Sequence, residues 1–225
     1  LIVICFTLTC FWLNSQDNSC GTELSSDQIR WLRNFQQSRN KQPIPSNQEY
    51  LPVQVHIVGD DDGHGYYRLE NLWSQICDMN AAFSTTGLQF YIKYPIKYIN
   101  NSSLYEHDIF SNQSQYSSLL SSNTVSNTVN IFYANSLGQW GIGDICGYYT
   151  YDSDCIVLDK GCGHIGDKTI IHEAGHFFSL PHTFYGWEYG VTPPISDQEL
   201  VDGSNCTTTA DGFCDTPPDY GSQRW

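Results

Sequence analysis

The stretch HEAGHFFSLPH, His172 through His182, places three of the chain's seven histidines and one glutamate close together. On a helix, residues four apart share a face with Cβ atoms about 5–6 Å apart, so His172 and His176 can aim two imidazole nitrogens at one point. His182 cannot join them on a continuous helix, because six further residues carry it about 9 Å along the axis. The chain must turn back, and Pro181 supplies the stop by disfavouring helix at Leu180. With His182 folded under, three protein ligands and one open position remain, as expected of a catalytic zinc with nitrogen ligands at about 2.0–2.1 Å. Glu173 adjoins the first histidine and can reach water at such a metal without binding the metal. Zinc lowers the pKa of water it binds to about 7, and a carboxylate beside it can take the proton as attack on a carbonyl begins. The competing readings are ordinary histidines on an ordinary helix, or a third ligand from Glu188 or Glu199.

A chain of 225 residues is long enough to bury a substantial core. Its net charge of −14 argues against a nucleic acid or an anionic membrane as partner, since both are polyanions that need clustered Lys and Arg. The opening LIVICFTLTCFWLNSQ is apolar, too short to span a bilayer, and similar to the hydrophobic part of a secretory signal peptide. Residues 1–16 are therefore expected to be a leader, and the protein to be secreted. Outside that leader stand seven cysteines: Cys20, Cys77, Cys146, Cys155, Cys162, Cys206 and Cys214. An odd number cannot pair completely within one chain, which in an oxidising compartment points to a free thiol with a purpose or to partners elsewhere.

Periodicity orders the remainder. SSDQIRWLRNFQQ reads as a short helix capped by Ser25 or Ser26, with Ile29, Leu32 and Phe35 on one face. SRNKQPIPSNQEYLP reads as a linker containing a processing region. VQVHIV from Val53 alternates as a half-buried strand does, and Leu69, Leu72, Trp73, Ile76, Met79 and Phe83 recur at helical spacing. LQFYIKY from Leu88 is a further strand, a Ser/Asn-rich loop covers about 100–127, and VNIFYA, GYYTY and CIVLD give three more strands before the histidine helix. The expected fold class is an α/β sandwich with a mixed, twisted sheet.

At this level of detail the motifs resemble a known clan. HExxH with a third histidine is the signature of the metzincin zinc metalloproteases, and HEAGHFFSLPHTF followed by DGFCDTPPDY resembles their pappalysin (cytophagalysin-like) family. LPVQVHIV, CDMNAAF and GYYTY with DCIVLD are similar to the strands and helix that precede the zinc helix there, so the likeness spans about residues 50–220. It implies Zn2+ bound by His172, His176 and His182, Glu173 as general base and later proton donor, and protein or peptide substrates lying extended along YYTYDSDCI. The implied organisation is a leader at 1–16, a propeptide remnant and linker at 17–49, and a catalytic domain at 50–225 acting as a monomer.

The resemblance also implies a latency device, because SCGTEL around Cys20 is similar to a propeptide stretch that carries a cysteine switch. Half of an ordinary disulfide is the alternative for Cys20. Asp202, Asp211, Asp215 and Asp219 are the implied Ca2+ ligands, with a solvated acidic loop as the alternative. Ser179 departs from the pattern by standing where the family has a helix-ending glycine, which serves a left-handed backbone. The methionine turn expected after the third histidine is absent too, since the single methionine is Met79; this is expected of a C-terminal lobe that is truncated. Cys146, Cys155 and Cys162 are expected to provide a disulfide clip, with zinc binding alongside His164 as the alternative. A catalytically inactive binding module that keeps the fold is the rival to an endopeptidase.

Overall fold

The computed structural model describes residues 20–22, 24–38, 47–111, 113–140, 143–187 and 192–218. The leader expected at 1–16 and the processing region at 40–46 lie outside them. A six-stranded sheet organises the chain: β1 (Glu49–Gly59), β2 (Leu88–Ile92), β3 (Lys97–Asn100), β4 (Val129–Ala134), β7 (Gly147–Thr150) and β8 (Cys155–Asp159). Strand order is β2-β1-β4-β8-β7, and β3 follows β2 along the same side of β1. All pairings are parallel except that of β7 with β8, an antiparallel hairpin that leaves β7 on the rim. The short pair β5 (Gln139–Trp140) and β6 (Gly143–Asp144) stands apart from this sheet.

On one face pack α2 (Leu69–Ala82) and α5 (Thr169–Phe177), through Leu72, Ile76, Met79, Ile170 and Ala174 against Val53, Val55, Ile57 and Ile131. On the other face α3 (Ser102–Tyr105) and α4 (Gln113–Ser121) supply Leu104 and Leu120 to a second cluster with Val58, Phe132 and Val157. These two helices lie where the Ser/Asn composition reads as loop; tertiary burial of single leucines, rather than propensity, holds them.

β1 shows why alternation alone misleads. Its sequence alternates apolar and polar residues, yet Val53 to Gly59 is buried without a break, because layers cover both faces. The polar residues find partners inside the fold: Gln54 Nε2 donates to the carbonyls of Val55 and Pro95, and His56 Nε2 lies 3.0 Å from Asn130 Oδ1, while His56 Nδ1 has no hydrogen-bond partner among the described residues. On α2, Leu69 and Trp73 remain exposed, so its buried stripe is narrower than its apolar one. The first helix, α1 (Ser26–Ser38), starts with a reciprocal cap in which Gln28 N donates to Ser25 Oγ and Ser25 N to Gln28 Oε1. Ile29 and Leu32 are buried, whereas Phe35 points outward and stacks on Trp31 at 5.4 Å. Among the described residues two disulfides form, Cys146–Cys162 and Cys206–Cys214, leaving Cys20, Cys77 and Cys155 as free thiols. The clip thus joins the two ends of the β7–β8 hairpin, and Cys155 is buried within β8.

Candidate metal centre

α5 packs against β7 and β8 and presents its polar side to the sheet rim. Its start is fixed by Asp167 Oδ1, which accepts from Thr169 N at 2.7 Å. Its end is a Schellman motif: Leu180 N donates to Gly175 O and Ser179 N to His176 O, with Ser179 in the left-handed region at φ 67. Ser179 therefore does adopt a glycine-favoured conformation, and the backbone reversal that His182 needs is made there.

The reversal brings the three histidines together. His176 Nε2 lies 3.0 Å from His172 Nε2 and 3.2 Å from His182 Nε2. Phe184 lies flat on the His182 ring, with centroids 4.6 Å apart and planes 9° from parallel. His176 Nδ1 stands 2.7 Å from the Leu180 carbonyl, which cannot donate, so Nδ1 carries the proton and Nε2 presents a lone pair to the common point. Burial, then the His182 and His172 imidazoles, lowers the pKa of His176 to about 3, which keeps the ring neutral as a ligand must be.

A fourth group arrives from far away in sequence. Cys20 Sγ lies 3.5 Å from His176 Nε2, and the ligand atoms of Cys20, His172, His176 and His182 all fall within 4.8 Å of one another. Tetrahedral zinc with bonds of about 2.0–2.1 Å to nitrogen and about 2.3 Å to sulfur separates two nitrogens by about 3.3 Å, and nitrogen from sulfur by about 3.6 Å. The donor set fits zinc in type and spacing. Burial and the Glu173 charge push the Cys20 thiol well above its ordinary range, so a thiolate at this point requires a compensating cation. No carboxylate belongs to the group; Glu199 lies elsewhere and Glu188 is outside the described residues.

Glu173 is fully buried, and burial raises its carboxyl to about 7 against the lowering effect of its hydrogen bonds. Oε2 accepts from Thr22 Oγ1 at 2.7 Å, while Oε1 has no hydrogen-bond donor among the described residues. Gly147 makes room for this carboxylate. A Cβ there would stand 2.8 Å from Thr169 Cγ2 and 3.0 Å from Glu173 Cγ, so only glycine lets α5 approach β7 this closely. Sequence reasoning missed Gly147, Thr22 and Phe184. Only the position of Phe184, two residues past His182, was within reach of a local pattern.

The segment carrying Cys20 pairs with the free edge of β7. Cys20 forms a parallel bridge with Gly147, Gly21 N donates to Gly147 O at 2.8 Å, and Tyr149 N donates to Thr22 Oγ1 at 2.7 Å. α1 then crosses a cleft of about 770 Å³ whose lining includes Ile29, Leu32, Ile109, Tyr116, Tyr148 and His176. From the same helix Arg33 donates to the Ala210 carbonyl in the loop closed by Cys206–Cys214. In that loop Asp211 accepts from Phe213 N and Thr216 Oγ1, and Asp202 accepts from Ser204 N. Neither joins a metal-competent group among the described residues, and Asp219 lies outside them. His164 is likewise no part of a ligand group, and Cys162 is consumed by its disulfide.

No family model and no curated protein matches the chain. Among solved structures it is similar to a promirolysin mutant from Tannerella forsythia at 18% identity, covering 80% of this chain and 76% of that one with a TM-score of 0.50. Metalloproteinase-II from Bacteroides fragilis is similar at 14% identity with a TM-score of 0.35, over 80% of this chain and 52% of its own; the chain thus spans about half of that protein's length. At such identities the likeness speaks of architecture, and the mixed α/β fold built here around the histidine helix is one this chain shares with promirolysin.

Proposed function

We propose that the chain is a secreted, zinc-dependent endopeptidase of the pappalysin type, made as a latent precursor with a catalytic domain over residues 50–225. The observation that carries this reading is the convergence of three imidazole Nε2 atoms beside a buried carboxylate whose Oε1 has no donor among the described residues. His172, His176 and His182 would hold the metal. Zinc bound there supplies a Lewis acid that polarises a carbonyl and acidifies water. Glu173, its pKa raised to about 7 by burial, takes the proton from the attacking water on Oε1 and returns it to the leaving amine nitrogen. The β7 edge from Tyr148 onward, with its outward N–H and C=O groups, aligns an extended peptide substrate. Cys20 would be the latency residue, offering its thiol to the fourth position of the metal site until the chain is cut within residues 40–46.

Two disulfides among the described residues support an oxidising destination. No helix among them is long and apolar enough to cross a membrane. The test is zinc stoichiometry measured together with peptide hydrolysis after limited proteolysis of the linker, for the wild type and Glu173→Ala. One zinc per chain, hydrolysis in the wild type and its loss in the variant are expected. Hydrolysis that survives Glu173→Ala would overturn the mechanism. Zinc bound without any hydrolysis in the cut wild type would favour the inactive binding module.

A further inference from the structure

We propose that Thr22 is a second lock on the site, closing the base as Cys20 closes the metal position. The inference rests on the latent-peptidase reading. In an extended segment side chains alternate, so Cys20 and Thr22 face one way and Gly21 the other. On the Gly21 side there is no space: a Cβ would meet Ile109 Cδ1 at 2.4 Å, Ile145 Cγ2 at 3.1 Å and Tyr148 Cβ at 3.4 Å. A slip by one residue would drive the Cys20 or Thr22 side chain into this wall, so the glycine pins the register. Pinned in this way, the segment delivers its thiol to the imidazoles and its hydroxyl to Glu173.

The direction of the two hydroxyl bonds follows from their partners. Tyr149 N–H can only donate, so Thr22 Oγ1 accepts from it at 2.7 Å and turns its own proton to Glu173 Oε2, also at 2.7 Å. One buried hydroxyl thereby occupies an oxygen of the base and an edge N–H that a substrate strand needs. Thr22 is 3% exposed, so water does not compete for either bond. The lock requires no metal, and it acts on latency even where Cys20 is absent.

Thr22→Val removes the hydroxyl at nearly constant shape, and Thr22→Ser keeps it. A hydrogen bond to a charged group is worth enough to shift a closed–open equilibrium by roughly tenfold to a hundredfold. In the intact zinc-loaded chain, Thr22→Val is therefore expected to raise peptide hydrolysis, and the alkylation rate of Cys20 followed by mass spectrometry, by that factor. Thr22→Ser should stay close to the wild type in both. In a Cys20→Ala background, Thr22→Val should raise hydrolysis again. An intact Thr22→Val chain as latent and as slowly alkylated as the wild type, while the linker-cut wild type hydrolyses peptide, would overturn the lock and leave the peptidase standing. A linker-cut wild type that binds zinc and hydrolyses nothing would remove the peptidase reading, and the alkylation rates alone would then decide whether Thr22 holds the segment.

Discussion

Phe184 lies parallel to His182 at a centroid separation of 4.6 Å, stacked on the candidate ligand whose position depends on a chain reversal. His172 and His176 are placed by a helix, whereas His182 stands on the loop beyond it and packs against Phe184 and His172. Phe184→Ala is expected to weaken zinc binding by about tenfold to a hundredfold, as loss of an orienting partner does, with little change in far-ultraviolet circular dichroism. Unchanged affinity in a chelator competition would mean that the Phe184 stack does not fix the third imidazole.

Ser179 has a left-handed backbone, with φ 67. A side chain there costs on the order of 1 kcal/mol relative to glycine, so Ser179→Gly should raise the melting temperature by about 2–4 °C for a chain of this size. Zinc content should not change. A lower melting temperature would show that the serine compensates through contacts elsewhere.

Gly147 stands where α5 comes nearest to the sheet. Gly147→Ala would press a methyl group against Thr169, Glu173 and Leu158, whose nearest atoms lie 2.8 to 3.0 Å from the new carbon. Overpacking of this kind costs about 1–3 kcal/mol, and the displaced carboxylate should lower hydrolysis by the cut protein more than it lowers zinc content. Denaturant midpoints and metal analysis on one preparation separate the two effects.

His56 makes stability depend on pH. Burial lowers its pKa from 6.5 to about 4 against the opposing effect of its bond to Asn130. The unfolded chain therefore binds more protons than the folded one between these values. The contribution is complete above pH 6.5 and is lost as pH falls towards 4, by roughly 3 kcal/mol. In His56→Leu, Asn130 Oδ1 still accepts from Val125 N, and stability should fall less steeply between pH 6.5 and 4 than in the wild type. Parallel pH dependences of the denaturant midpoints would contradict this assignment.

Local patterns made much of the scaffold legible. The helical recurrence on α2, the β7–β8 hairpin and the HExxH spacing on α5 each depend on neighbours within a few residues, and each stands where expected. Pro181, with the resemblance that sets a glycine at position 179, even located the reversal at Ser179. What stayed hidden depends on distant contacts. The bond from Thr22 to Glu173 joins residues 151 apart, and nothing near either one announces it. The need for glycine at position 147 arises only when α5 is laid on the rim strand. β1 looked half-buried because a strand's sequence does not tell how many layers will cover it, and α3 and α4 are held by Leu104 and Leu120 reaching a core formed by other elements.

The most direct test of the central claim, one metal site closed by a thiol from residue 20, is zinc-edge X-ray absorption of the intact chain before and after the linker is cut and the segment removed. Three nitrogen neighbours at about 2.0–2.1 Å and one sulfur at about 2.3 Å are expected before cutting, with the sulfur replaced by a light atom afterwards. An intact chain that binds zinc with no sulfur neighbour, or that binds no zinc at all, would contradict the account.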